Sequence, residues 1–346
     1  MNFKLNYKQY SDFINVTNGV FNPLKNFVNK KQFNSILKNQ VLNKSFFPYP
    51  IFFGLSIKQF KEIKNKKILI LEYRSKVVAR VNKLNFFEID KNLFGIKIFG
   101  RNFKKHPYFK IFYNENYKFL SFNIYKKFNS KDLPKNFVSP VFFKKQIKKV
   151  KFLSSFHTRN VPHSAHQWIH NYLFKNYGSL LIQPLIGQYK RGEYKNQYIM
   201  RSNLKAARIL QSKNVFCIPF FSYPRYGGPL EACLHAIVRK NYGCTHFWVG
   251  RDHAGYKNFF SKYQSQKYCK SKQNKIGITI VSKKEPFYCK VRKIITNKCN
   301  SKKCNKQKIL ISGSKIRYLL LKNKKIPEYL MSKDISKLIS SKSLIN

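Results

Sequence analysis

From residue 149 onward, short apolar runs alternate with longer segments of helical spacing, and this alternation constrains the fold more than any other feature of the chain. Runs at 150–156, 179–184, 215–220 and 245–250 read as strands, with helical segments at 163–176, 198–213 and 229–242 between them. Units of this length predict an α/β fold with a doubly wound parallel sheet, whose ligands lie in the crevice at the carboxyl ends of its strands. Further strands are expected at 276–281 and 309–312, and helices at 315–321 and 332–340. The lysine-rich segment 290–308 between them reads as a loop. The first 148 residues have a different pattern: short β-like runs at 67–73, 76–81, 94–99 and 109–113, and one helix-like stretch at 56–66. They predict a compact, mostly β domain.

A chain of 346 residues, 43% hydrophobic, can bury two ordinary cores. Its net charge is +56, from 69 Lys and Arg against 13 Asp and Glu. The cations run along the whole chain, and no basic stripe or recognition motif gathers them, which argues against a specific nucleic-acid partner. They should still draw anionic substrates through long-range attraction. No run approaches the roughly 18 apolar residues of a membrane span. The seven cysteines are an odd number in a long chain, which points to reduced thiols and a cytoplasm-like compartment. Residues 1–13 lack the apolar stretch of a signal peptide.

Seven of the eight histidines fall between His157 and His253, and ten of the fourteen glycines lie at or after Gly178. Residues suited to chemistry and to tight turns are thus concentrated in the second half. Where the first strand of the sheet gives way to a helix, the chain reads His157, Thr158, Arg159, Asn160, Val161, Pro162, His163, Ser164, Ala165, His166. His163 and His166, three apart at a helix N-terminus, share a face beside backbone N–H groups and suit a phosphate, while the same spacing alone equally fits a surface pair on a capped helix. A second cluster follows the fourth strand, from Gly250 through Arg251, Asp252, His253 and Ala254 to Gly255. Small residues there let a ligand approach the backbone, and an arginine can clamp an anion with two hydrogen bonds. The doubly wound topology puts both clusters at one edge of the sheet, as a nucleotide site requires.

Longer motifs make the chain resemble the ATP sulfurylase family. Arg225, Tyr226, Gly227, Gly228 and Pro229, then Glu231, then the run from His235 to Phe247, lead into Gly250–Gly255 much as in that family. Thr158, Arg159 and Asn160 with His163 and His166 are similar to its Q-x-R-N-P-x-H-x-x-H motif. Pro184 to Gly187 with Lys190 resembles P-L-V-G-x-x-K, and Ser312 to Arg317 resembles S-G-T-x-V-R. In the first half, Gly19 to Leu24 with Phe27, and Gly100 with His106 and Pro107, resemble the family's opening and its later G-x-x-x-x-x-H-P turn.

The resemblance implies a PUA-like β domain over 1–148, a Rossmann-like nucleotidyltransferase sheet of the H-x-x-H type over 149–325, and a short helical tail over 326–346, with no kinase-like extra domain. It implies a sulfate adenylyltransferase, which joins sulfate to the AMP part of ATP and releases pyrophosphate. Arg159 would hold sulfate, with the backbone near Ala254 and, in the place of the family's glutamine, His157. Thr158 and Asn160 would flank the reacting phosphate, and His163 and His166 would stabilise its charge. ATP would lie against His157, Arg159 and Gly250 to His253, with Phe287 on the adenine side. Mg²⁺ would travel with ATP, and a homodimer is expected.

The chain departs from the family pattern at His157, Val161, Gln183, Tyr189 and Leu230. A drifted, weakly active or inactive anion binder is the alternative these changes leave open, and an adenylyltransferase acting on another phosphate is a further one. Cys289, Cys299 and Cys304 stand where some bacterial relatives bind a structural zinc, but Arg292 replaces the second cysteine of their C-x-x-C, and zinc stays open beside a lysine-rich loop with spare thiols. Because the resemblance starts near residue 10, the expected compartment is the one where the chain is made: a bacterial cytoplasm, such as that of a reduced-genome symbiont, or an organelle with its own gene.

Overall fold

The computed structural model describes residues 1–127, 133–187, 191–299, 302 and 306–345. The chain divides into two compact units. The first comprises Met1–Gln146, Pro224–Gly243 and Asp252–Thr279, and the second Ile147–Tyr223, Cys244–Arg251 and Ile280–Asn346.

The first unit is built on a sheet of β1 (Asn2–Lys4), β4 (Phe53–Leu55), β5 (Ile68–Tyr73), β6 (Lys76–Phe87) and β7 (Lys118–Lys127), with a small hairpin of β2 (Val41–Leu42) and β3 (Ser45–Phe46) beside it in sequence. Its order is β1-β5-β6-β7-β4, parallel between β1 and β5 and antiparallel elsewhere. Helices Tyr7–Thr17, Lys30–Asn39 and Ile57–Ile63 each begin with a reciprocal cap, made by Asn6 with Gln9, Asn29 with Gln32, and Ser56 with Gln59. Only the third of these helices was legible in the apolar pattern.

The strands expected at 94–99 and 109–113 are helices, Lys91–Phe99 and Pro107–Glu115. The Asp90 side chain caps the first by accepting from the Leu93 N–H at 2.9 Å, and Pro107 opens the second, where its missing N–H costs nothing. Burial then follows the helical period. Phe94 and Ile98 face the core while Ile96 stays 47% exposed, and Phe109 and Phe112 are buried while Tyr113 stays 49% exposed. The rings of Phe94 and Phe112 stack at 4.3 Å.

The second unit holds the parallel sheet: β8 (Ser154–Thr158), β9 (Leu180–Ile186), β10 (Val215–Cys217), β11 (Phe220–Phe221), β12 (His246–Trp248) and β13 (Thr279–Val281). Its order is β10-β9-β8-β12-β13, with β11 also on β9. β10, β8 and β11 run parallel to β9, and β12 runs parallel to β8. Helix Ser164–Tyr177 links β8 to β9 and ends at Gly178, whose φ of 72° is the left-handed cap that glycine adopts most readily. Ile169 and Leu173 of that helix pack with Phe156, Ile182 and Trp248 of the sheet. Helix Asn196–Ile209 joins a second cluster through Ile199 and Ala206, with Ile316 and Leu320 of helix Gly313–Leu321 and Ile335 of the short helix Lys333–Ser336.

The segment 290–308 is not wholly a loop. β15 (Ile294–Thr296) and β16 (Lys308–Leu310) pair antiparallel on either side of β14 (Phe287–Cys289). β14 buries Phe287 and Cys289, and this small apolar face is enough to seat strands among many lysines.

Candidate active site

The order of the parallel sheet reverses at β8. From it the chain moves outward to β9 and β10, then returns to β12 on the opposite side. The carboxyl ends of β8 and β12 therefore flank a topological switch point, where ligands of open α/β sheets bind. His157 and Thr158 end β8, and Gly250 and Arg251 follow β12 closely. Within this unit the sheet brings these parts of the two clusters to one edge.

The loop after β8 is tightly held. Thr158 Oγ1 accepts the Asn160 N–H at 3.1 Å, and Asn203 Nδ2 donates to the Asn160 carbonyl at 3.1 Å. Arg317 Nη1 donates to Asn160 Oδ1 at 3.2 Å, and its Nη2 to Ser314 Oγ at 3.2 Å. An oxygen that accepts from a guanidinium identifies the other terminal atom of Asn160 as its NH₂, so the amide presents donors away from Arg317. Ser312 caps the helix that carries Arg317, accepting from the Lys315 N–H at 3.3 Å. Sequence reasoning included Arg317 in a motif but gave it no role; its function as a brace on Asn160 needed the fold. Val161, 2% exposed, enters the apolar cluster beneath this loop.

His163 is the N-cap of helix Ser164–Tyr177. Its Nδ1 accepts the His166 N–H at 3.3 Å, so its proton sits on Nε2. The two imidazoles stack at 3.7 Å. Burial pushes the His163 pKa down to about 4. Burial, then the neighbouring His163 and His170, hold His166 well below the ordinary histidine range. Both rings are thus neutral near pH 7 and act as hydrogen-bonding groups rather than cations. The expected row of open N–H groups at this helix start is largely occupied: Ser164 donates to the Leu330 carbonyl at 2.9 Å and His166 to His163. The helix still offers an anion its dipole and the two imidazoles.

His157 Nδ1 lies 3.2 Å from the Gln183 carbonyl, an atom that can only accept, which puts the His157 proton on Nδ1. Gln183 itself is fully buried, and neither terminal atom of its amide has a hydrogen-bond partner among the described residues. Tyr189 and Lys190 lie outside the described residues. Arg251 is already paired: its Nε is 2.7 Å from Glu285 Oε2 and its Nη1 is 2.9 Å from Glu285 Oε1, with both side chains about a third exposed. Glu285 escaped sequence reasoning, and an isolated acid 34 residues away carries no signal that could have revealed it. Phe287 is 5% exposed, with Lys308 Nζ over its ring at 4.6 Å.

Cys289 and Cys299 have their sulfurs 3.9 Å apart, close to the spacing of two thiolates on one tetrahedral zinc. Cys304 lies outside the described residues.

The remaining site candidates belong to the first unit. Asp252 and Ala254 have φ of 54° and 58°, a left-handed turn closed by the Asp252 N–H to the Lys262 carbonyl at 2.8 Å and by the Gly228 N–H to the Ala254 carbonyl at 3.0 Å. A Cβ on Gly255 would come within 2.0 Å of Asp252 Oδ1, so a side chain there would require the Asp252 carboxylate to turn away. His253 Nε2 is 3.1 Å from His235 Nδ1. The preceding motif is pinned by Glu231, whose two oxygens accept the N–H groups of Arg225 and Gly227 at 2.9 Å each. The Arg225 guanidinium is buried against Asp12. Leu230 is half-buried.

Comparison with known proteins matches residues 134–342 to the family model described as ATP-sulfurylase, and residues 1–123 to a PUA-like domain. The chain is similar to the sulfate adenylyltransferase of Pyrococcus abyssi, 32% identical over 95% of this chain and 87% of that protein. It is similar to those of Ignicoccus hospitalis, 29% identical over 96% and 88%, and of a Synechococcus strain, 25% identical over 97% and 88%. Among solved structures, a hexameric APS kinase from Thiobacillus denitrificans matches 97% of this chain with a TM-score of 0.73. That likeness, at 15% identity and over 62% of the solved chain, speaks to the fold alone.

Proposed function

This chain belongs to the ATP-sulfurylase family, and from that premise we propose that it is a sulfate adenylyltransferase, converting ATP and sulfate to adenylyl sulfate and pyrophosphate. A sulfate oxygen attacks the α-phosphorus, the bond from that phosphorus to the oxygen bridging to the β-phosphorus breaks, and pyrophosphate leaves with the electron pair. The observation that carries the reading is the Thr158 to His166 segment, which leaves the end of the central strand at the switch point and lies inside the family match. No observation favours a drifted, non-catalytic binder.

The roles follow from donor geometry. Arg159 takes sulfate through its planar fork. Thr158, whose oxygen accepts from the backbone, keeps its hydroxyl proton for a phosphate oxygen, and Asn160 offers its NH₂ on the other side. His163 and His166 stabilise the charge that builds on the phosphates as neutral Nε2–H donors. Positioning and charge stabilisation suffice, without a covalent enzyme intermediate. His157 contributes an acceptor nitrogen where the family's glutamine offers an amide, so Arg159 carries more of the sulfate binding. Gly250 and Arg251, with Asp252, His253 and Ala254, keep their nucleotide and sulfate roles in the proposal, and Phe287 its adenine-side role.

Mg²⁺ enters with ATP, held by its phosphates. Cys289 and Cys299, whose sulfurs are 3.9 Å apart, would supply two of the ligands of a structural zinc. The division at 148 and 325, a homodimer and a cytoplasmic location belong to the same proposal. Among the described residues no helix is long and apolar enough to cross a membrane. The test is pyrophosphate release from MgATP with and without sulfate. Sulfate-dependent release that Arg159→Ala abolishes is the expected result; folded, ATP-binding protein without release would overturn the reading.

A further inference from the structure

Helix Ser164–Tyr177 carries another histidine, His170, that the mechanism above does not use. His163, His166 and His170 stand at i, i+3 and i+7, one stripe of the helix. His170 is 1% exposed, and neither of its ring nitrogens has a hydrogen-bond partner among the described residues. Nδ1 of His166 is buried and equally unpartnered. Both rings stand edge-on to Phe156, His166 at 5.1 Å and His170 at 4.8 Å, so the two imidazoles share one aromatic wall a helical turn apart.

A buried polar group left unsatisfied costs about 1–3 kcal/mol, and a leucine at position 170 would avoid that cost among the apolar neighbours Ile169 and Leu173. An imidazole at 170 therefore calls for a purpose beyond filling space. His163 is locked as the Nε2–H tautomer by the backbone N–H that its Nδ1 accepts. His166 has no such lock. To present Nε2–H to a phosphate oxygen its Nδ1 must be the acceptor, and in a buried setting an acceptor needs a donor.

We propose that His170 is a positioning residue whose ring N–H donates through one buried water to His166 Nδ1 and holds His166 in the Nε2–H tautomer. The proposal rests on the sulfate adenylyltransferase reading for its catalytic consequence but not for its geometry. Burial keeps His170 neutral, its pKa pushed down to about 3, so the donor is a single N–H at any working pH.

Two variants test it. His170→Leu removes the donor and keeps the bulk, and His170→Gln restores an N–H of similar reach. The readouts are the His166 ring tautomer by nitrogen NMR, kcat and KM for sulfate-dependent pyrophosphate release, and the thermal midpoint. The expected result is a wild-type His166 in the Nε2–H form, a leucine variant that loses it and falls about tenfold in kcat with KM for ATP nearly unchanged, and recovery in the glutamine variant. The leucine variant should melt no lower than wild type, which separates positioning from a packing defect. A leucine variant with wild-type tautomer and kcat would overturn the proposal. Should wild-type protein release no pyrophosphate, the functional reading fails, and the tautomer measurement still decides the role of His170.

Discussion

Arg317 and Asn160 are 157 positions apart, yet the guanidinium donates to the asparagine oxygen at 3.2 Å and thereby turns the amide NH₂ away from itself. Arg317→Ala should let the Asn160 side chain turn and lower kcat about tenfold, less than the loss expected for a direct donor. Arg317→Lys should not rescue, because lysine lacks the planar fork whose two terminal nitrogens reach Asn160 and Ser314 separately. Steady-state pyrophosphate release decides; a lysine variant with full activity would mean that charge alone matters.

Arg251 is bound to Glu285 before any ligand arrives. If this arginine serves ATP, Glu285 competes for it. Glu285→Gln should then lower KM for ATP roughly threefold, while stability changes by no more than about 1 kcal/mol, as for exposed ion pairs. An unchanged or raised KM would assign the pair a purely structural role.

His163 and His170 make stability depend on pH. Their folded pKa values, about 4 and about 3, lie below the 6.5 of an unfolded histidine. The unfolded chain therefore takes up protons first as pH falls, and stability that is complete above pH 6.5 is lost as pH drops towards 4. By pH 5 each histidine costs about 2 kcal/mol. Hydrogen exchange of helix Ser164–Tyr177 at pH 7.5 and 5 measures this, and a His163→Asn, His170→Leu double variant should lessen the slope, with the buried His166 supplying the remainder. Equal slopes in both proteins would rule these histidines out as its source.

Asp12 and Arg225 form an ion pair with both side chains almost completely buried. Asp12→Ala strands the guanidinium and should destabilise the first unit by about 3–5 kcal/mol, whereas Asp12→Leu with Arg225→Met should recover most of the loss. Denaturant unfolding checks both. A single variant costing under about 1 kcal/mol would indicate that water reaches Arg225.

The sequence by itself determined the strand and helix alternation of the second half, its parallel sheet and the segment from His157 to His166, because each rests on local periodicity and on short spacings along one chain. The family was legible for the same reason: its motifs are runs of neighbours. The helices at Lys91–Phe99 and Pro107–Glu115 were misread because a short apolar run fits either period until a cap or a buried partner chooses, and Asp90, Pro107 and the Phe94–Phe112 stack made that choice. Tertiary structure alone decided the neutral state of the paired histidines, the Arg251–Glu285 pair and the brace from Arg317 to Asn160. Each depends on burial or on a partner far along the chain, and neither quantity is written in the order of the residues.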